Sequence, residues 1–281
     1  MKEKRVLTIQ DVSCLGQCSL TVALPIISAM GIETCIIPSA VLSTHTGGFS
    51  GFTFKDLTEE IPAISKHWQK EKVEFDAIYT GYIGSKKQLE YITDIFRVFG
   101  KNGCQIIIDP VMGDKGKLYT GFDKDFAKEM AKLCSHADVI LPNLTEAAYL
   151  LDEPYVESGY SEEWLLGLLR RLSKLGAKKV VLTGVSFDPK KLGVAIYDSA
   201  ADKVSYYFRD KIPGATHGTG DVYASSFVGA LMQGKTIEQA AALAVDYVVK
   251  CIEVTLPDKE NHWYGVKFEK CIPYLIERMQ K

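Results

Sequence analysis

Short apolar runs alternate with longer amphipathic segments along the chain. "RVLTIQ", "CIIPSAV", "DAIYTGY", "QIIIDP", "DVILPN" and "KKVVLTG" are compact apolar runs rich in Ile and Val. They lack the polar alternation of a half-solvated strand, which predicts strands buried on both faces. Between them apolar residues recur at helical spacing, which predicts helices over 19–30, 56–71, 86–99, 122–133, 145–151 and 161–175. Pro25 falls inside the first of these, where a missing N–H and a ring clash predict a kink or a late start. "GVAIYD" and "KVSYYFR", joined by "SAAD", predict a hairpin. Three helices, 218–233, 236–255 and 268–279, then close the chain. Strands separated by helices imply βαβ units and a mostly parallel sheet. No Pro- or Ser-rich linker, low-complexity tract or internal repeat interrupts this order, so residues 1–281 are expected to form one domain. The polar, glycine-rich "LSTHTGGFSGFTFK" (42–55) is expected to be a flap over a site.

A chain of 281 residues can bury the core such a fold needs. The net charge of -2 offers no electrostatic footprint for nucleic acid or an anionic membrane. The seven cysteines are odd in number and scattered, without paired metal spacing. They read as reduced thiols, most of them small buried hydrophobes. "MKEKRVLTIQ" lacks the apolar core of a signal peptide, and no apolar run is long enough to span a bilayer. A cytoplasmic protein is expected.

In open α/β sheets ligands bind beyond the carboxyl ends of the strands. Polar residues collect there: Asp11, Thr80-Gly81-Tyr82, the segment Asp109 to Asp114, Asn143 and Glu146, and Thr183-Gly184. Singly, each is an ordinary turn or helix cap. Together they mark one rim. "GATHGTGD" (214–221) then leads into a helix. The glycines let backbone N–H groups approach an anion at the helix start, and Asp221 stands where it would accept a proton from an attacking hydroxyl. The same residues would also serve as a plain turn and N-cap, and "GTGD" is too short to separate the two. Asp109, Asp114 and Glu146 suit Mg²⁺, a hard cation that takes oxygen ligands. "DPVMGDKGKLYTGF" has the glycine and lysine of a phosphate-covering loop. Absent are a G-x-G-x-x-G after the first strand, H-E-x-x-H, and G-x-S-x-G. The five histidines are dispersed and suggest no zinc cluster.

In order, "LTIQD", "STHTGG", "TGYIGS", "DPVMGD", "PNLTEA" and "GTGD" resemble the pyridoxal (vitamin B6) kinases of the ribokinase-like superfamily over almost the whole chain. "GTGD" marks only the superfamily; "STHT", "TGY" and "DPVMGD" together separate this branch from the sugar kinases. The resemblance implies a three-layer α/β/α sandwich with a mostly parallel central sheet and a small flap. It implies ATP-dependent phosphorylation of the 5′-hydroxymethyl group of pyridoxal, pyridoxine or pyridoxamine in vitamin B6 salvage. By the same resemblance Asp221 is the base, and Gly218, Thr219 and Gly220 are the anion hole. Asp109 and Glu146 organise Mg²⁺ and, with Asn143, the ATP phosphates. Thr183 and "RDKI" (Arg209, Asp210, Lys211, Ile212) belong to the nucleotide site. Thr46, Gly47 and Tyr82, with His45 beside them, form the vitamer pocket, which Asp11 adjoins. The partners implied are the vitamer and ATP, with neither nucleic acid nor membrane. Mg²⁺ is the implied metal, a monovalent cation is a further candidate, and a homodimer is usual in the family. Two positions depart from the pattern: many relatives carry Ser at Asp11, and some carry a reactive Cys at His217. A hydroxymethylpyrimidine (phosphate) kinase of thiamine synthesis and a non-catalytic B6-binding protein are the alternatives.

Overall fold

The computed structural model describes residues 3–213 and 217–280, so the opening of the glycine-rich stretch, Gly214 to Thr216, lies outside the described residues. The chain divides into two compact units. One is built from residues 1–77 and 212–281, the other from 78–211.

The first unit opens with strand β1 (Arg5–Ser13), helix α1 (Leu20–Ala29), strand β2 (Glu33–Leu42), strand β3 (Phe54–Asp56) and helix α2 (Glu60–Lys70). β1 and β2 are parallel, with Arg5 opposite Glu33, and β3 runs antiparallel to β2. β1 continues past its apolar run through Asp11 to Ser13, so Asp11 lies within the strand rather than after it. The register slips there: Gln10 pairs with Pro38, but Val12 pairs with Val41. Pro38 has no N–H to give the ladder, and a bulge absorbs that loss. Asp11 stands opposite the bulge. α1 begins at Leu20, well before Pro25, so the proline does not delay the helix. α2 starts four residues later than its pattern predicts, because Asp56 ends β3 and its carboxylate accepts from the Thr58 amide at 2.6 Å.

The second unit contains β4 (Ala77–Thr80), α3 (Lys86–Phe99), β5 (Gln105–Ile108), β6 (Gly113–Asp114), β7 (Lys117–Leu118), α4 (Lys124–Cys134), β8 (Val139–Ile140), α5 (Leu144–Leu150), α6 (Glu162–Ser173), β9 (Lys179–Val185), β10 (Lys191–Asp198) and β11 (Lys203–Asp210). Its main strands lie in the order β11-β10-β9-β8-β5-β4. β5, β8 and β9 are parallel, and β10 and β11 are antiparallel additions at one edge. The buried runs "AIYT" and "III" are the apolar strands predicted for both-face burial. β6 and β7 form a separate small hairpin within the predicted phosphate-covering loop.

The chain returns to the first unit with α7 (Thr219–Met232), α8 (Ile237–Thr255) and α9 (Ile272–Gln280). α7 packs against α1 so closely that a Cβ at Gly229 would meet Met30 Sδ at 2.3 Å. No helix among the described residues is long and apolar enough to cross a membrane.

Candidate active site

Gly218 is the N-cap of α7, in the left-handed region at φ 76°. Having no side chain, it places no acceptor over the first-turn N–H groups, which remain available to an anion. Asp221 sits inside the first turn rather than at the cap, so the plain N-cap reading of this carboxylate does not hold. A Cβ on Gly218 would lie 1.9 Å from the Gln17 carbonyl oxygen. The glycine is therefore required both by its dihedral angle and by the close approach of the 14–19 loop.

That loop supplies the partners of Asp221. The Ser19 backbone N–H and the Cys18 thiol donate to its carboxylate, and the carboxylate of Asp11 lies near enough to repel it. Burial, with Asp11 adding to it, pushes Asp221 up to about 7 against the pull of those two donors. Ser19 takes φ 55° and ψ −132°, a conformation costly for any residue but glycine. In that conformation one residue serves both acids: its hydroxyl donates to Asp11 and its amide to Asp221. Asp11 is buried and also accepts from Ser13 Oγ at 2.8 Å. Burial raises its pKa, while the two hydroxyls and His45 act the other way. Burial and the Asp221 carboxylate together raise the Cys18 thiol. Cys18 and Ser19 were not singled out from sequence. The available signal was a polar, glycine-containing segment between β1 and α1 at the rim of the sheet.

His45 is buried, and both its ring nitrogens are occupied. Nδ1 accepts from the Gly47 amide at 3.1 Å and Nε2 lies 2.7 Å from the Tyr264 carbonyl oxygen. The first contact makes Nε2 the donor, which fixes the tautomer. His45 thus shapes the loop that carries Thr46 and Gly47. Thr46 is exposed and Gly47 half-buried. A Cβ at Gly47 would come within 3.0 Å of His217 Nδ1.

The second unit gathers the other predicted residues. Asp109 follows β5, is buried, and donates its amide to Thr80 O at 2.9 Å. Asn143 caps α5, accepting from the Glu146 amide at 2.9 Å and donating from Nδ2 to Gly113 O at 2.9 Å. Glu146 closes the capping box: Oε2 accepts from Asn143 N at 2.9 Å, and Oε1 accepts from Met112 N at 3.2 Å. Burial pushes Glu146 up to about 8, with the amides of Asn143, Met112 and Gly113 opposing it. Both oxygens being engaged, Glu146 shapes the 109–114 segment. Thr183 lies beside Asn143 in a parallel bridge and donates its amide to Pro142 O at 2.9 Å. The Gly116 amide donates to Thr145 Oγ1 at 2.9 Å, which ties the β6–β7 hairpin to α5.

Tyr82 lies 5.4 Å from Phe122, which in turn stacks on Phe126, so the Tyr82 ring belongs to an aromatic row. Arg209 and Asp210 are strand residues at the end of β11 rather than loop residues. Asp210 pairs with Lys191 at 2.7 Å, and Lys211 N extends the ladder to Lys190 O. Ile212 is half-buried. Among the described residues no three His, Cys, Asp or Glu side chains converge on one metal position.

The model of the phosphomethylpyrimidine kinase family matches residues 24–264. A Bacteroides thetaiotaomicron protein, classed provisionally as a phosphomethylpyrimidine kinase and crystallised with pyridoxal, is 40% identical. It superposes with a TM-score of 0.92 over 98% of this chain and 96% of its own. The pyridoxal kinase of Lactobacillus plantarum is 32% identical, with a TM-score of 0.89 over 98% of this chain and 97% of its own. The hydroxymethylpyrimidine/phosphomethylpyrimidine kinase of Bacillus subtilis is 25% identical over 237 residues, covering 83% of this chain and 81% of its own.

Proposed function

The chain belongs to the phosphomethylpyrimidine kinase family, and on that premise we propose that it phosphorylates the 5′-hydroxymethyl group of vitamin B6 vitamers with ATP. The observation that carries this reading is Asp221, raised to about 7 in the first turn of a glycine-capped helix. A general base works best when its pKa is near the working pH. In the proposed step the vitamer oxygen forms a bond to the γ-phosphorus, its proton passes to Asp221, and the bond to the leaving ADP oxygen breaks. The first-turn amides at Gly218 to Gly220 receive the charge on the transferring group. Asn143 and Thr183 hold the rim on the nucleotide side, with Arg209 to Ile212 as further nucleotide contacts.

Mg²⁺ fits the donor set. Asp109 offers a buried oxygen ligand, and an ion carried on the ATP phosphates needs only one or two carboxylates, its other ligands being phosphate and water. Bound there, Mg²⁺ would neutralise charge on the phosphates. Glu146 would keep the 109–114 segment in the shape that presents Asp109. The family match runs through both units, which supports one kinase domain. The reading extends to a homodimer, for which the test is sedentation mass by equilibrium ultracentrifugation.

One coupled assay decides between substrates: pyridoxal, pyridoxine, pyridoxamine and hydroxymethylpyrimidine, each with ATP and Mg²⁺, with and without K⁺. Turnover of the vitamers at the highest kcat/KM is the expected result. Turnover confined to hydroxymethylpyrimidine would make the chain a pyrimidine kinase, and a vitamer spectral shift without product would make it a binding protein.

Asp11→Asn should move the acid limb of kcat/KM to lower pH. The base must be ionised, so activity rises with pH through about 7 in the wild type. Removing a neighbouring negative charge lowers that value. Rates between about pH 5 and 9 test it, and coincident limbs would remove Asp11 from the environment of the base.

Glu146→Gln should raise the Mg²⁺ concentration needed at fixed ATP by about tenfold while leaving the vitamer KM within about twofold. Glutamine keeps one acceptor but turns an NH₂ toward a backbone donor, and leaving a buried N–H without its acceptor costs ~1–3 kcal/mol. An unchanged Mg²⁺ titration would confine Glu146 to its cap.

A further inference from the structure

We propose that Trp263 is a positioning residue for the substrate loop, a clasp from the C-terminal segment that holds residues 45–49 in the shape that receives the flat ring of the substrate. The proposal rests on the vitamer-kinase reading for the identity of the ring alone.

The contacts are direct. The Trp263 ring lies 4.6 Å from the Phe49 ring, and a Cβ on Gly48 would stand 2.7 Å from its Cζ3. Tyr264, its neighbour, receives the His45 Nε2 hydrogen bond at 2.7 Å. Two consecutive residues thus pin both the start and the middle of the loop.

The clasp is itself braced. Lys267 pairs with Asp258, and the Lys267 amide donates to Thr255 Oγ1 at 2.9 Å. The His262 amide donates to Asp258 O at 3.0 Å. Gly265 packs against Gln17, where a Cβ would meet the Gln17 Cβ at 2.6 Å. Trp263 nevertheless remains 41% exposed. An indole left that open is not there to fill the core; apart from its neighbour Tyr264 and the His217 ring at 6.4 Å, its closest ring and backbone contacts, Phe49 and Gly48, belong to the loop. Beyond Phe49 the hold lapses until Thr53, whose amide donates to Ser43 Oγ at 2.9 Å: at Gly51, φ 69°, an added Cβ would meet nothing within 4 Å. Any opening of the flap is then confined to its tip.

The test compares wild type with Trp263→Ala, Trp263→Leu and Trp263→Phe. Amide exchange is read across residues 44–55 without ligand, and steady-state kinetics are read on whichever ring alcohol the wild type phosphorylates. In the Ala and Leu variants exchange at Gly47 to Phe49 should quicken by about tenfold. The KM for the ring alcohol should rise by about tenfold, with kcat and the ATP KM within about twofold. Tenfold is the scale of one aromatic pair. Phe should restore both readouts. Unchanged exchange in both Ala and Leu would overturn the clasp whatever the substrate. Faster exchange with an unchanged KM would overturn its role in substrate binding. A wild type that phosphorylates no vitamer but another ring alcohol would sink the vitamer reading and leave the clasp to be judged on that alcohol.

Discussion

Asp221→Asn should fold normally, bind nucleotide, and lose ~10²–10⁴-fold in kcat, the usual contribution of a general base. The amide is isosteric and can still accept from the Ser19 N–H, so the 14–19 loop keeps its anchor. What it cannot do is take the proton of the attacking hydroxyl. The rate that remains should also lose the acid limb near pH 7, because the group titrating there is gone. Calorimetry establishes the fold, and single-turnover rates across pH establish the rest. A folded variant with near wild-type turnover would leave Asp221 a structural acid.

Gly218→Ala should be damaging for a different reason. At φ 76° any L side chain is strained, by roughly 1–2 kcal/mol. The methyl would also stand 1.9 Å from a backbone oxygen that cannot rotate away. Relief requires the 14–19 loop to move, and that loop carries Cys18 and Ser19, the donors to Asp221. We expect kcat/KM to fall by at least about 10²-fold, the scale for displacing one donor in a charge-stabilising site. Tm should fall by at least about 4–8 °C, from ~2 kcal/mol at 2–4 °C each. Gly220→Ala is the control for stability: its Cβ meets nothing within 4 Å, and alanine is the better helix former. If the two variants melt together, crowding at Gly218 does not explain its glycine.

The sequence patterns that proved readable were those repeated within one element. The periodicity over 86–99 predicts α3 to the residue, and "VVL" and "III" mark strands because burial on both faces leaves them no polar alternation. β3, β6 and β7 escaped notice because two or three residues have no period, and their partners rather than their composition define them. The apolar run "RVLTIQ" stops at Gln10, so the sequence puts Asp11 after β1; the bulge that lets the strand continue depends on Pro38 in the neighbouring strand. The glycines beside Asp221 mark a helix start in the sequence, but that the carboxylate lies inside the first turn rather than at the cap is visible only in the fold. Trp263 was not: nothing near it in the chain indicates that its ring covers Gly48. Glu146 was legible as a candidate metal residue, yet its two oxygens belong to backbone amides that only the folded 109–114 segment brings to it.

The first unit is assembled from both ends of the chain, whereas the second is a single continuous stretch. On a ribosome adding ~5–20 residues per second, the second can collapse while the first still lacks α7, α8 and its clasp. β1, β2 and α1 emerge early but wait many seconds for the helix that covers α1. During that interval the face of α1 that α7 covers, including the end at Met30 that Gly229 approaches, has no α7 against it. Chaperone dependence and the losses on overexpression should therefore trace to the N-terminal segment of the chain, and a nascent polypeptide halted before residue 219 would carry Asp11, Asp109 and Glu146 but neither Asp221 nor the helix start that holds it.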